Sequence, residues 1–273
     1  MLEVIRPGAS AANAKVAILD FDGTLSLIRS GWMDVMVPIC VEQLESLGTG
    51  ETEAALVEVV TEFVSRLTGK ETIYQMMALA DAIRERGGRP LAPLAYKKVY
   101  LDRLWVKIRD RVEDLREKRV SPERYLVPGA RALLEMLVSR GLTLYLASGT
   151  DDANVKEEAA LLDVARYFED RIFGAQDDLK SFSKALLVQQ ILGRAGFRAE
   201  ELLVFGDGYV EIEEVKKVGG TAVGVATAEP LCLEIDPWKR QRLLNAGADF
   251  IIANYLNLGE LTLHLFKSPV LVS

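Results

Sequence analysis

Two aspartates follow the first apolar run of the chain and are separated by one aromatic residue. The run belongs to VAILDFDGTLSLI, residues 16–28, in which Asp20 and Asp22 precede Gly-Thr. Carboxylates at this spacing can act as a nucleophile and as a proton donor or acceptor. A strand-end Asp before Gly can also be a simple turn residue, so the pair alone leaves both interpretations open.

Two later apolar runs also end in polar residues. LTLYLAS, residues 142–148, ends at Ser148, and ELLVFGD, residues 201–207, ends at Asp207. Ligands of open parallel sheets bind beyond the carboxyl ends of the strands, so these residues and Asp20 should converge on one crevice. Carboxylates buried together need a compensating cation, and Mg²⁺ prefers hard oxygen ligands. The sequence therefore predicts a Mg²⁺ site at this edge.

Apolar runs alternate with helical patterns through most of the chain. The runs VAILD, LTLYLAS, ELLVFGD and GTAVGVAT predict four strands, DFIIAN predicts a fifth and DRIFGA a weaker sixth. Helices are expected at residues 129–140, 152–166, 182–195, 209–218, 236–246 and 256–266. This alternation is typical of a parallel sheet with helices on both faces, and we predict a Rossmann-like α/β fold.

Residues 29–120 differ, because they contain no convincing strand. Apolar residues recur there at helical spacing, and breaks rich in Gly and Pro separate the patterns. The patterns predict helices at residues 31–47, 51–67, 70–86 and 92–118. We therefore expect an inserted α-helical domain at 29–120 and an α/β core domain made of 1–28 and 121–273.

Composition disfavours several classes of protein. The 273 residues carry a net charge of −7 with a pI near 5.1, which argues against broad binding of nucleic acid. Neither a signal peptide nor a stretch long enough to span a membrane is evident, so we expect a soluble, cytoplasmic monomer or homodimer with no membrane partner. Cys40 and Cys232 lack metal-site spacing and are expected to be buried thiols, and His264 is expected to be structural.

The DFDGTL stretch resembles the first motif of the haloacid dehalogenase-like phosphohydrolases, a superfamily of phosphatases with an aspartate nucleophile. Three further motifs match in order: Ser148 at the end of the next core strand, Lys184 at the start of a helix, and the acids of GDGYVE, Asp207 and Glu211. The order and the strand context of the motifs make the resemblance specific. Within the family, the chain looks like phosphoglycolate and phosphoserine phosphatases with an α-helical cap.

The resemblance implies a role for each catalytic residue. Asp20 would attack phosphorus and form an aspartyl-phosphate, and Asp22 would protonate the leaving group and then activate water. Ser148 would donate a hydrogen bond to the phosphoryl group, and Lys184 would offset its charge.

The resemblance also implies which residues hold the ligands. The metal ligands would be Asp20, Asp207, the backbone carbonyl of Asp22, and Glu211. The phosphate contacts would be Ser148, Gly149, Lys184, Gly23 and Thr24. The tight turn at Gly23 and Thr24 would provide N–H donors.

Three positions leave alternatives open. Glu211 stands where the family more often has Asp, and it is either a metal ligand or a solvated acid of the first helical turn. Lys180 lies shortly before Lys184 and could supply the ammonium instead. Thr150 and Asp151 are interpreted as helix caps, because GTDDANVKEE resembles a helix start.

These features predict a Mg²⁺-dependent phosphatase that acts on a small phosphorylated metabolite, such as a sugar phosphate or a phosphoglycolate-like acid. The inserted helices would form a lid that selects the substrate, with Arg29, Trp32 and Lys70 as candidate contacts. A phosphomutase of the β-phosphoglucomutase type is one alternative, and a non-catalytic protein that binds a phosphometabolite is another. Dehalogenase activity is disfavoured, because dehalogenases of the family generally lack the second acid of the first motif.

Overall fold

The computed structural model of the chain describes residues 1–176, 183–194 and 196–267. The chain divides into two compact units, of which the first combines Met1–Ser30 with Asp114–Ser273 and the second is Gly31–Glu113. The first unit contains a seven-stranded sheet, and the second contains three helices and most of a fourth. The second unit lies within the insertion expected at 29–120.

The sheet of the first unit is mostly parallel. Its strands are β1 (Leu2–Val4), β2 (Val16–Leu19), β3 (Thr143–Asp151), β4 (Ile172–Ala175), β5 (Leu202–Gly206), β6 (Thr221–Val225) and β7 (Phe250–Ile252). The strand order is β1-β7-β6-β5-β2-β3-β4, with β1 antiparallel to β7 and the other neighbours parallel. The predicted α/β fold is confirmed. The sequence did not predict β1, because three partly exposed residues carry too short a pattern.

Each predicted helix is present, with ends shifted by a few residues. The helices are α1 (Met33–Glu45), α2 (Glu53–Leu67), α3 (Thr72–Glu85), α4 (Pro93–Arg116), α5 (Ala130–Ser139), α6 (Asp152–Leu161), α7 (Lys184–Arg194), α8 (Tyr209–Val218), α9 (Pro237–Asn245) and α10 (Leu258–Leu265). Short 3₁₀ helices form at Pro122–Tyr125, Ala165–Tyr167 and Ala199–Glu201.

One face of the sheet is covered by α7, α8 and α9. Side chains alternate between the two faces along each strand, so Ile18 of β2 and Val204 of β5 point the same way. They belong to a buried cluster with Leu187 of α7, Ile212 of α8 and Leu243 of α9. This packing anchors α7, α8 and α9, which follow β4, β5 and β6 and begin at the carboxyl edge of the sheet.

The opposite face is covered by α5 and α10. Phe250 of β7 contacts the ring of His264 in α10, with 6.5 Å between the ring centroids. Arg140 at the end of α5 lies over the ring of Phe266 at the end of α10, 4.2 Å from its centroid. His264 therefore takes part in packing between a helix and the sheet.

The second unit is built from amphipathic helices. Thr52 caps α2, because its hydroxyl accepts a hydrogen bond from the N–H of Ala55 at 3.3 Å. Along α4, buried residues recur at helical spacing and form one apolar stripe. These residues are Tyr96, Tyr100, Leu104, Ile108 and Val112.

The sequence also predicts that the two cysteines are buried thiols and that the chain has no stretch long enough to span a membrane. Cys40 and Cys232 are buried free thiols, as predicted. Burial raises the pKa of the Cys40 thiol to about 12 and that of Cys232 to about 11, so neither is a ready nucleophile at neutral pH. Within the described part of the chain, none of the helices combines the length and the apolar character that crossing a bilayer requires.

Asp249 is a buried anchor at the amino edge of the sheet. Its Oδ2 accepts hydrogen bonds from the N–H of Ala222 at 2.8 Å and from Nζ of Lys216 at 2.9 Å. Its Oδ1 lies 2.7 Å from Nε of Arg6. Asp249 therefore links α8, β6 and the N-terminal segment to the start of β7 through charge-assisted bonds.

We expect Asp249→Ala to lower the free energy of unfolding by about 2–4 kcal/mol, because Lys216 and the Ala222 amide would lose a buried acceptor. Urea-induced unfolding followed by circular dichroism measures this change. Glu213→Ala, at an exposed position of α8, is the control and should change the free energy by less than about 0.5 kcal/mol. Equal effects of the two substitutions would show that Asp249 is not an anchor.

Candidate active site

Three neighbouring strands, β3, β2 and β5, run in parallel register near the carboxyl edge of the sheet. Leu19, the last residue of β2, pairs with Leu146 of β3 and with Phe205 of β5. Asp20 follows directly, and its N–H donates to the carbonyl of Phe205 at 2.9 Å. The parallel register therefore brings Asp20 after β2, Asp207 after β5 and Ser148 within β3 to one edge of the sheet.

Lys184, the first residue of α7, lies between two carboxylates. Its Nζ donates to Oδ1 of Asp20 at 2.6 Å and to Oε2 of Glu211 at 2.8 Å, and all three side chains are buried. Burial disfavours the ammonium, but attraction to the two carboxylates raises the pKa of Lys184 above its ordinary value. Lys184 therefore stays charged and orients Asp20. Lys180, the alternative for this role, lies outside the described residues.

Glu211 is held by both of its oxygens. Oε1 accepts a hydrogen bond from the N–H of Gly208 at 2.9 Å at the start of α8, and Oε2 accepts from Lys184. The side chain is 2% exposed, so the interpretation of Glu211 as a solvated acid is wrong. Gly206 makes room for it, because a Cβ there would lie 2.6 Å from Cδ of Glu211.

Asp20, Asp207 and Glu211 form a compact acidic cluster. Each offers one carboxylate oxygen, and these oxygens lie within 4.8 Å of one another. Burial disfavours the anions and raises the pKa of Asp20 and of Asp207 to about 6, although Lys184 and Lys239 respectively oppose the shift. A divalent cation would compensate this charge, and carboxylate oxygens are the donors that Mg²⁺ prefers. The donor set therefore fits Mg²⁺.

The turn after β2 requires glycine at position 23. Gly23 has φ +74°, and a Cβ there would collide with the carboxylate of Asp207, coming within 2.9 Å of its Cγ. The N–H of Gly23 donates to the carbonyl of Ser26, and that of Thr24 donates to the carbonyl of Phe21. Both N–H groups are thus bonded within the turn, and their contact with a phosphate stays a prediction.

Thr24 connects two of the acids instead. Its hydroxyl donates to Oδ2 of Asp20 at 3.3 Å and accepts a hydrogen bond from the N–H of Asp207 at 3.0 Å. Thr24 is fully buried. Its side chain therefore helps to fix the distance between the ends of β2 and β5.

Asp22 faces two hydroxyl groups of β3. Its Oδ2 accepts hydrogen bonds from Oγ1 of Thr150 at 2.8 Å and from Oγ of Ser148 at 3.2 Å. Thr150 lies in the strand and contacts Asp22, so its interpretation as a helix cap is wrong. Asp151 is at the N-cap position of α6 but makes no capping hydrogen bond with its side chain. Gly149 lies between the two hydroxyl residues.

The second oxygen of Asp22 lies in a different environment. Oδ1 is buried and has no hydrogen-bond donor among the described residues, and Nε of Arg29 is 4.0 Å away. Burial raises the pKa of Asp22 to about 6, with Arg29 opposing the shift. Asp22 can therefore take up and release a proton close to neutral pH.

Arg29 is a buried residue of the first unit. Its Nη2 and Nε donate to Oε1 of Glu158 in α6 at 2.7 and 3.1 Å, and both side chains are buried. The expectation that Arg29 belongs to the inserted helices is not met, since it precedes Gly31, where the second unit begins. An arginine in the otherwise uncharged stretch LSLIRS, directly after Leu27 and Ile28, was the available sign of a buried charge.

The other two candidate lid residues lie in the second unit. Trp32 directly precedes α1, and Lys70 precedes α3 with its Nζ 5.5 Å from the ring centroid of Tyr74. Trp32 is half-buried and Lys70 is exposed. Their contact with a substrate stays a prediction.

Sequence reasoning missed Lys239 and Glu229. Nζ of Lys239 in α9 lies 2.9 Å from Oδ2 of Asp207 and 2.8 Å from Oε1 of Glu229. No motif marks either residue, because they follow β6, a strand whose end carried no recognised signal. The acidic cluster therefore has a second ammonium beside it.

The sequence model of the haloacid dehalogenase-like hydrolases matches residues 14–219. The 5′-nucleotidase of Pseudomonas aeruginosa is 32% identical over 117 residues, which cover 43% of this chain and 50% of that protein. The phosphorylated carbohydrates phosphatase of Thermotoga maritima is 30% identical over 123 residues, which cover 42% of this chain and 56% of that protein. The chain thus spans about half the length of the curated relatives it matches.

A solved structure shows the same fold. The crystal structure of a predicted phosphoglycolate phosphatase from Haemophilus somnus has a TM-score of 0.58 and 16% identity, and the match covers 92% of this chain and 98% of that chain. At this identity the likeness concerns the fold alone. The matched residues 14–219 make up most of the chain and include the four motifs that surround the acidic cluster. The chain therefore belongs to the haloacid dehalogenase-like hydrolases.

Proposed function

We propose that the chain is a Mg²⁺-dependent phosphatase that hydrolyses a small phosphorylated metabolite through an aspartyl-phosphate. The observation that carries the proposal is the bond between Lys184 and Asp20 beside Asp22, a carboxyl group whose pKa is raised to about 6. A fixed carboxylate nucleophile and a neighbouring acid–base are the two groups that this reaction requires.

Asp20 is proposed as the nucleophile. Its Oδ1 is bound to Lys184 at 2.6 Å, whereas Oδ2 accepts a longer bond of 3.3 Å from Thr24. We therefore assign the attack on phosphorus to Oδ2, the less strongly held oxygen. As the O–P bond to Asp20 forms, the bond from phosphorus to the ester oxygen breaks, and Lys184 offsets negative charge on the transferring group.

Asp22 is proposed to move the proton in both halves of the reaction. In the neutral form it protonates the departing alkoxide, and as the anion it then takes a proton from water. That water attacks phosphorus, releases inorganic phosphate and restores the Asp20 carboxylate. Ser148 and Thr150 orient Asp22 from one side, so that Oδ1 is the oxygen left to exchange the proton.

Asp20, Asp207 and the backbone carbonyl of Asp22 are the proposed principal ligands of Mg²⁺, with Glu211 in support. Glu211 ranks lower because the N–H of Gly208 and the ammonium of Lys184 engage its two oxygens. When bound, Mg²⁺ supplies positive charge that reduces the repulsion between the anionic nucleophile and the phosphate. The close approach of Asp207 to Gly23 keeps this carboxylate next to the turn that carries Asp20 and Asp22.

The substrate is proposed to be a small phosphomonoester, either a sugar phosphate or a phosphoglycolate-like acid. The names of the relatives support this class, since one is a 5′-nucleotidase and another a phosphatase of phosphorylated carbohydrates. We further propose that the helical insertion, predicted at 29–120, acts as the cap that selects the substrate. Release of inorganic phosphate from a panel of phosphomonoesters tests the activity. Phosphate transfer without release would favour a phosphomutase, and binding without either reaction would favour a non-catalytic protein.

We expect Asp20→Asn to lower turnover by about a thousandfold or more, because an amide cannot act as the nucleophile at similar volume. Mass spectrometry of the acid-quenched wild type should find phosphate on the peptide that contains Asp20. Asp81→Asn, at an exposed position of α3, makes the same chemical change and should leave turnover intact. Phosphate trapped on a different residue would refute the assignment.

We expect chelation to abolish phosphate release and added Mg²⁺ to restore it. Ca²⁺ should bind without supporting turnover, because its looser coordination misplaces the nucleophile. Asp207→Asn should weaken Mg²⁺ binding more than Glu211→Gln does, since the partners of Glu211 leave it less free to coordinate. Isothermal titration calorimetry measures both affinities. Full activity in excess chelator would rule out the metal.

We expect Trp32→Ala and Lys70→Ala to change KM or the ranking of substrates more than they change hydrolysis of p-nitrophenyl phosphate, because a cap contacts the leaving group rather than the reacting phosphate. Steady-state kinetics on the phosphomonoester panel gives both quantities. Arg66→Ala, which removes an exposed cation of α2, is the control. An unchanged ranking in both cap variants would contradict the proposed selection.

A further inference from the structure

Lys239 brings a second ammonium to the acidic cluster. Its Nζ lies 2.9 Å from Oδ2 of Asp207, 2.8 Å from Oε1 of Glu229 and 3.4 Å from Oγ1 of Thr227. The side chain of Lys239 is 14% exposed, and those of Asp207 and Glu229 are 14% and 21% exposed. The ammonium is therefore largely withdrawn from water and binds two carboxylates at once.

The fold holds Lys239 in this place. Asp236 caps α9 by accepting a hydrogen bond from the N–H of Lys239 at 2.8 Å, which fixes the backbone of that residue. The hydroxyl of Thr227 donates to the carbonyl of Gly23 at 3.0 Å. The segment between β6 and α9 is thus bonded to the turn that carries the first motif, and the ammonium has little freedom to leave the cluster.

Around the cluster, carboxylates outnumber ammonium groups. Four carboxylates lie there: Asp20, Asp207, Glu211 and Glu229. Two ammonium groups oppose them, Lys184 on one side and Lys239 on the other. When all of these groups are ionised, negative charge remains among them that a divalent cation would offset. The short contacts of the Lys239 ammonium with Asp207 and Glu229 offset the cost of burying its charge.

Two cations that bind the same carboxylate repel each other, so a metal ion and an ammonium group compete for it. The ammonium of Lys239 is within bonding distance of Oδ2 of Asp207, the residue assigned as a principal metal ligand. Glu229, which is not one of the three clustered acids, gives that ammonium a second acceptor 2.8 Å away. Lys239 can therefore release Asp207 without becoming a buried charge that lacks a partner.

We propose that Lys239 is a tethered cation that competes with the divalent metal for Asp207, and that Glu229 accepts the ammonium when the metal is bound. The pair would keep the buried acids neutralised before metal binds and would set a moderate metal affinity. The inference depends on the proposed metal site. It assigns roles to two residues outside the four motifs, and these are positioning roles, because neither residue touches the reacting atoms.

The two residues should shift metal affinity in opposite directions. Lys239→Met removes the competitor, so Mg²⁺ should bind about tenfold or more tightly than to the wild type. Glu229→Gln replaces the second carboxylate by a neutral amide, whose oxygen is a weaker acceptor for an ammonium, and so strengthens the hold of Lys239 on Asp207; Mg²⁺ should bind about tenfold more weakly. If Lys239 and Glu229 only maintained the structure of the site, both substitutions would weaken Mg²⁺ binding.

Isothermal titration calorimetry of the full chain with MgCl₂ at pH 8, without substrate, tests the inference. Lys217→Met is the control, because it removes an ammonium that pairs with Glu214 on the surface of α8 and should leave affinity unchanged. Lys239→Arg retains the charge and should stay close to the wild type. Thermal unfolding without metal establishes that each variant is folded. If Lys239→Met does not fold, the Mg²⁺ affinity of Glu229→Gln tests the competition instead.

The outcomes separate the two proposals. If Asp207→Asn binds Mg²⁺ as well as the wild type does, the proposed metal site itself is wrong. If Asp207→Asn loses binding but Lys239→Met binds no more tightly than the wild type, or Glu229→Gln binds no more weakly, the competition is wrong and the metal site stands. Tighter binding by Lys217→Met to the same extent would also overturn it, because overall charge would then account for the effect.

Discussion

The bond between the Lys184 ammonium and the Asp20 carboxylate is the contact on which the site depends. Both groups are buried, and each would be costly without the other, because an isolated charge loses its hydration when it leaves water. Glu211 completes the arrangement by accepting a second hydrogen bond from the same ammonium while it caps α8. One lysine thereby ties the starts of α7 and α8 to the end of β2.

The same principle of compensated charge recurs throughout the first unit. Asp207 is paired with Lys239 and Arg29 with Glu158, and Asp249 is paired with Lys216 at the opposite edge of the sheet. The two edges of the sheet differ in the amount of negative charge that remains unpaired. Asp249 has its acceptors fully used, which suits an anchor, whereas the acidic cluster keeps more carboxylates than ammonium groups, which suits the binding of a cation.

The site and the helical insertion have separate structural origins. The described residues of the acidic cluster and its partners all belong to the first unit, whose sheet sets their register. The helices of the second unit follow their own amphipathic patterns and contribute none of the buried acids of the cluster. In the proposed phosphatase, this division would let substrate choice change in the helices while the carboxylates that perform the chemistry stay in place.

Most strands, the helices and the order of the motifs could be predicted from the sequence alone, because they depend on local properties. Apolar runs such as residues 16–19 predict buried strands, and helical spacing predicted each of the ten helices to within a few residues. Parallel strands place the residues that follow them at one edge, which is why Asp20, Ser148 and Asp207 could be expected to converge. The very short β1 was missed, since its pairing with β7 is a contact between the two ends of the chain.

The contacts between side chains that are distant in the sequence became known only from the folded chain. Thr150 donates a hydrogen bond to Asp22 because β3 continues past Ser148 as a strand. The local sequence around Thr150 resembles a helix start instead. Arg29 finds Glu158, and Lys239 finds Asp207, across separations that carry no periodic signal. Side-chain partners that are distant in the sequence depend on strand register, on burial and on the neutralisation of charges away from water. These conditions arise only once the chain has folded.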